Sequence, residues 1–233
     1  MDIRFHGHSC FEIQGNEGRI IIDPFLTGNP TADIRPDEID HLNGILVSHG
    51  HSDHLGDAIE LSKRTGAPII GVYELTKLCE RAGAKAHAMH IGGKFAFNFG
   101  LVRLTQALHG SVFEPNGNKN NFEYAGPACG FLLQIDGKWL YHSGDTGLFG
   151  DMELIGRRHP LEVAMLPIGD NFVMGQEEAI YATNLLRPKL VIPMHYNTFS
   201  IIKQDVSEFK ASLERKSGSQ GVILKPGESL TLE

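Results

Sequence analysis

The heptapeptide Ser48-His49-Gly50-His51-Ser52-Asp53-His54 decides how this chain is read. It follows an apolar run, Gly44-Ile45-Leu46-Val47, and places four metal-binding side chains, His49, His51, Asp53 and His54, within six residues. In extended backbone, side chains two apart point to the same side, so His49 and His51 can grip one ion together. Four donors from so short a segment are too many for one tetrahedral ion. The spacing therefore implies two ions side by side and calls for further ligands from elsewhere in the chain. A polar loop merely rich in histidine is the bland alternative, and three histidines with an aspartate at this spacing weigh against it.

Three other apolar runs end on a residue that can bind metal. LVRLTQAL (101–108) ends at His109, WLYHSG (139–144) leads into Asp145, and LVIPM (190–194) ends at His195. Layered α/β folds build sites at strand ends, because the strand fixes the position and the loop frees the side chain. A lone histidine at a strand end is more often a hydrogen-bonded surface residue, and Asp145 in a Gly-rich stretch could serve only a turn. Two neighbouring ions need an anionic bridge, and a carboxylate in such a turn can supply one.

The remaining pattern fits α/β layering. Strands are expected at Asp2 to Phe5, Cys10 to Gln14 and Arg19 to Ile22, at Pro68 to Val72, Ala86 to Met89, Lys94 to Asn98 and Leu101 to Leu108. Others are expected at Ala128 to Ile135, Lys138 to His142, Val163 to Pro167 and Leu190 to Met194. Helices are expected over 56–65, 73–82, 149–158, 176–186 and 205–216, with a C-terminal hairpin over 221–232. With no linker and no fixed-period repeat, residues 1–233 read as one domain. The segment 111–127, polar and rich in Gly and Asn, follows His109 directly and is a candidate lid or specificity loop; a plain surface excursion is the competing reading.

A hydrophobic content of 41% with 21% charged residues suits a soluble globular protein, and the formal charge of −7 speaks against a basic nucleic-acid-binding face. Three separated cysteines give no disulfide framework. Met1 to Gly7 has no secretory pattern and no apolar run reaches membrane-span length, so a cytoplasmic protein without a membrane partner is expected. A monomer and a homo-oligomer both stay open.

HGHSDH followed by an isolated histidine, a Gly-Asp-Thr aspartate and a final histidine resembles the metallo-β-lactamase superfamily, along essentially the whole chain. GHSCF, IIIDPF, MHIGG, YHSGDTGLFGDM, LPIGDNFVMG and IPMHYNTF are similar to its small branch of metal-dependent hydrolases, to which ascorbate-phosphate lactonase is related. The resemblance implies a four-layer αββα sandwich with a dinuclear site at one edge. It puts His49, His51 and His109 on a first ion, Asp53, His54 and His195 on a second, and Asp145 between them. Zinc is the expected metal, with manganese, iron and nickel suited to the same donors.

Two ions roughly 3.5–4 Å apart share a hydroxide at neutral pH, so the expected activity is hydrolysis of a small-molecule lactone, ester or phosphoester. Asp53 is the candidate to pass a proton to the leaving group. Candidate substrate contacts are His8, His90, Asp170, Asn171 and Asn197. Asp23, which ends the third strand, is the candidate to orient a ligand histidine from behind. Competing readings are a metal-dependent nuclease or phosphodiesterase, and a non-catalytic metal-binding protein on the same scaffold. No inserted domain and no basic cluster interleaved with aromatics favours the nuclease, and the intact ligand set favours catalysis.

Overall fold

A computed structural model describes residues 1–114 and 121–233. The chain opens with β1 (Asp2–Gly7), β2 (Cys10–Gln14) and β3 (Arg19–Ile22), followed by β4 (Gly44–Leu46), the single turn α1 (Ser52–Leu55) and α2 (Ala58–Thr65). Next come β5 (Ile69–Val72), α3 (Tyr73–Arg81), β6 (Ala86–Met89), β7 (Lys94–Phe97) and β8 (Gly100–Gln106). A short ribbon, β9 (Val112–Phe113) and β10 (Glu123–Tyr124), precedes β11 (Cys129–Ile135), β12 (Lys138–His142), α4 (Met152–Arg158) and β13 (Leu161–Pro167). The chain ends with α5 (Gln176–Leu186), β14 (Leu190–Met194), α6 (Val206–Lys216), β15 (Gln220–Gly221) and β16 (Ser229–Thr231).

Two seven-stranded sheets form, in the orders β16-β1-β2-β3-β4-β5-β6 and β15-β14-β13-β12-β11-β8-β7. Helices α2 and α3 cover the first sheet, and α4, α5 and α6 lie together on the second, giving the αββα sandwich. Strands β11, β13 and β14 of the second sheet are apolar on both faces because each face is covered. Phe131, Leu133, Met165 and Ile192 enter the inter-sheet core with Ile3, Phe11 and Ile13, while Leu132, Ala164, Leu166 and Val191 pack under α5 and α6. Each such large side chain contributes about 1.5–3 kcal/mol by leaving water. Among the described residues no helix is long and apolar enough to cross a membrane, and Cys10, Cys79 and Cys129 are free and buried.

Strand direction is what positions the site. In the first sheet β2 is antiparallel to both β1 and β3, and β4 is parallel to β3, so β1, β3 and β4 share one direction. In the second, β11 is antiparallel to both β8 and β12, and β13 and β14 run parallel to β12, so β8, β12, β13 and β14 share one direction. The loops after all seven strands therefore leave from one edge of their sheets.

Two expectations need correction. The C-terminal hairpin does not form: β15 extends the second sheet beside β14, and β16 extends the first beside β1. Each arm finds an unpaired edge, which its own partner would have left exposed. The helix expected from residue 149 begins at Met152, after a turn. By contrast, Asp136-Gly137, both at positive φ, forms the two-residue hairpin joining Ile135 to Lys138.

Candidate metal centre

The opening heptapeptide is a strand exit followed by one helical turn. His49 lies just beyond β4, and His51 is the extended N-cap residue of α1, whose carbonyl accepts the amides of His54 and Leu55 at 3.0 and 2.9 Å. The turn brings Asp53 and His54 back towards the strand ends. Gly50 is required by close approach, since a Cβ there would stand 2.5 Å from the Val112 carbonyl oxygen. Its amide donates to Ser111 Oγ at 3.1 Å, so the start of the 111–127 segment pins this loop.

The later strands complete two donor groups. Candidate ligand atoms of His49, His51 and His109 all lie within 4.8 Å of one another, as do those of His8, Asp53, His54 and His195. A third such group joins His49, His54 and Asp145. Asp145 Oδ1 is 3.2 Å from His54 Nε2, and its Oδ2 is 3.0 Å from His195 Nε2 and 3.6 Å from His109 Nε2. Two donors about 2.0–2.1 Å from one tetrahedral ion stand about 3.4 Å apart. The observed separations fit a shared cation. His54 Nε2 and Asp145 Oδ1 are buried without a hydrogen-bond partner, as atoms reserved for a metal would be.

Behind these donors Asp23 is fully buried after β3. Its carboxylate accepts the Ser48 amide and the Ser48 hydroxyl, each at 2.7 Å, and faces His54 Nδ1 at 2.8 Å. The hydroxyl has one hydrogen and gives it to Asp23, so at its 3.0 Å contact with His49 Nδ1 it accepts. Both histidines thereby carry hydrogen on Nδ1 and present the Nε2 lone pair to the centre. Asp23 thus orients a donor in each group. Ser48 was not singled out in the sequence, because a serine before a histidine carries no signal of its own.

Electrostatics agree with a cation site. Burial opposes charge on His54, yet Asp145 and Asp23 raise its pKa well above the ordinary imidazole value. Burial likewise opposes ionising Asp145, but His195 and His54 hold its carboxyl well below the usual range. For His49, His51 and His109 burial dominates and lowers the pKa, favouring the neutral form that binds metal.

The other candidates divide. His8 is buried inside the second donor group, 3.3 Å from Asp53 Oδ2. His90 is exposed after β6 and stacks on Tyr73; it is not among the donors brought together. Asp170 and Asn171 build the turn after β13, where Asp170 Oδ1 accepts the Asn171 amide at 2.9 Å. Asn197 spends its amide oxygen on the Gln204 amide at 2.8 Å, closing its own loop. Of the lid candidate, β9 and β10 form a paired base, and residues 115–120 lie outside the described residues.

Backbone strain marks the same edge. His8, Asp23, Asp170, Asn171, His195 and Asn197 all have positive φ and all follow strand ends there. Gly144, at φ +60, is a further tight point: a Cβ would stand 2.5 Å from the Cys129 carbonyl oxygen and 2.9 Å from Ser48 Cβ. Gly144→Ala is expected to lower stability by more than about 1 kcal/mol, and to weaken metal binding through displaced Asp145 and Ser48. Equal denaturation midpoints and equal metal content for variant and wild type would contradict this.

Similarity to known proteins extends along the chain. The family described as "Beta-lactamase superfamily domain" matches residues 2–195. A UPF0173 metal-dependent hydrolase of Desulfitobacterium hafniense is 71% identical over 233 residues, covering 100% of this chain and 99% of the relative. Its counterpart in Pelotomaculum thermopropionicum is 52% identical over 232 residues, with 100% of both chains covered. Among solved structures, the metallo hydrolase Igni18 of Ignicoccus hospitalis superposes with a TM-score of 0.88 at 34% identity, covering 100% of this chain and 98% of its own. Matched end to end and carrying a His/Asp cluster able to bind divalent metal, this chain belongs to the metallo-β-lactamase superfamily and is a metal-dependent hydrolase of its UPF0173 family.

Proposed function

We propose that the centre holds two divalent ions, zinc foremost, and that the enzyme hydrolyses a small-molecule lactone, ester or phosphoester in the cytoplasm. The observation that carries this reading is Asp145, whose carboxylate reaches His109 of the first donor group and both His54 and His195 of the second. A single ion would leave one of the two donor groups unused. Bound ions supply Lewis acidity towards the substrate oxygen and a water nucleophile at neutral pH.

The chain's own residues do the rest. His49, His51 and His109 make one donor group and Asp53, His54 and His195, with His8, the other, and Asp53 is the part-exposed member of its ion pairs, at 29%. That exposure suits Asp53 to carry a proton to the departing oxygen. Leu108, next to His109, is 55% exposed, and Phe199 packs at 5.7 Å from the His8 ring while 40% exposed. These apolar side chains beside the centre favour an ester or lactone with an apolar part.

The test pairs metal analysis with turnover of a lactone and p-nitrophenyl ester panel against bis-p-nitrophenyl phosphate, with and without chelator. Two ions per chain and chelator-sensitive ester or lactone hydrolysis are expected; turnover indifferent to chelator would exclude the reading. Asp53→Asn is expected to slow alkyl esters, whose leaving groups need a proton, at least about tenfold more than p-nitrophenyl esters. Equal losses on both would remove the proton-donor role.

A further inference from the structure

His8 leaves β1 in the left-handed region, at φ 57, with only 1% of its surface exposed. Its carbonyl accepts the His195 amide at 2.7 Å, and the two rings lie 4.1 Å apart, so the ends of β1 and β14 are locked together here. Nδ1 is 2.9 Å from Thr198 Oγ1, and that hydroxyl also stands 3.5 Å from the Tyr196 carbonyl oxygen. With Thr198 accepting from Nδ1, the lone pair of the neutral ring sits on Nε2. This Nε2 is buried, makes no hydrogen bond, and faces Asp53 Oδ2 across 3.3 Å. Two acceptors at that distance repel unless a proton or a metal ion lies between them, and ligand atoms of His8, Asp53, His54 and His195 all lie within 4.8 Å of one another, as donors to one ion would. His54 Nε2 and Asp145 Oδ1 are in the same unpartnered state.

We propose that His8 Nε2 is a ligand of the second ion, which then has His8, Asp53, His54 and His195 besides the shared Asp145. The assignment rests on the two-ion reading above. It makes the centre asymmetric: counting the shared Asp145, the second ion has five protein donors and the first has four, so only the first has room for a fifth donor from the substrate. The three-histidine group is then where the substrate oxygen enters, and the His8 group holds the anchoring ion.

His8→Gly is the direct test, because glycine adopts φ 57 without strain and the end of β1 keeps its path. Zinc affinities of wild type and variant are measured by competition with a chromophoric chelator, alongside visible spectra of the cobalt-substituted proteins. One ion should be held within about twofold of wild type and the other weakened more than 100-fold, beyond the about 10–100-fold that loss of an outer partner costs. Free imidazole should restore the lost affinity and the cobalt spectrum. Thr198→Val, which removes only the partner of Nδ1, should stay within that 10–100-fold range. A His8→Gly loss below about 100-fold without imidazole rescue overturns the assignment and makes His8 an outer partner. A wild type that binds one ion overturns the two-ion reading and this assignment together; two ions bound equally by both proteins overturn this assignment alone. Should the glycine variant lose its cooperative thermal transition, His8→Asn, which also accepts left-handed backbone, is read against the same thresholds.

Discussion

Asp145→Ala is expected to leave the chain with less than one ion and to lower kcat/KM by about 10³-fold or more, since losing a single stabilising donor already costs about 10²–10³. The effect is large because this carboxylate touches donors of both groups and is itself nearly completely buried. Its loss removes a ligand and also the negative charge that lies between His54 and His195. The three-histidine group is then left with neutral donors alone, and the second group keeps Asp53 as its one carboxylate donor. Asp145→Asn keeps the volume and one acceptor oxygen, and separates the two contributions: it should fold as wild type does while still losing metal. The measurements are elemental analysis after gel filtration and kcat/KM on the best ester or lactone. Two ions retained by the alanine variant would show that Asp145 does not join the groups.

How far the sequence reached follows from the range of the interactions involved. An apolar run ending in His or Asp is a local pattern, and His49, His109, Asp145 and His195 could be picked out because strand and donor are adjacent in the chain. Asp23 was found for the same reason, at the end of the Ile20-Ile21-Ile22 strand. The position of His8 was not legible, because its partner Thr198 is 190 residues away and its burial depends on β1 and β14 meeting. Turn α1 escaped notice since four residues cannot show a helical period. The C-terminal arms read as a hairpin because Pro226-Gly227 is a strong turn signal. Which edge each arm joins is decided by the edges left free at β1 and β14, a property of the assembled sheets. The polar composition of 111–127 hid the fact that its ends are anchored as β9 and β10 and that Ser111 holds Gly50.

Asp23 should show the second large effect, in stability as well as metal. It accepts two hydrogen bonds from Ser48 and faces His54 Nδ1, with none of its surface exposed. Asp23→Ala leaves these buried donors unmatched and is expected to cost about 3–5 kcal/mol, the range for breaking a buried pair by removing one member. Asp23→Asn is the more informative change. Its amide oxygen can still receive the Ser48 amide, so the stability cost should fall to about 1–3 kcal/mol. Its NH₂ group, however, donates where the carboxylate accepted. His54 must then turn its lone pair to Nδ1 and put its hydrogen on Nε2, the atom that faces Asp145. Ser48, no longer able to give its hydrogen to residue 23, turns it on His49 Nδ1 and forces the same change there. Both donor groups are struck by one substitution, and each ion should weaken by about 10–100-fold. Urea unfolding of the metal-free proteins reads the stability term, and chelator competition reads the two affinities. Weakening of one ion alone would break the relay through Ser48 while keeping the direct bond to His54. Unchanged binding of both would show that the histidine tautomers are fixed by something other than Asp23.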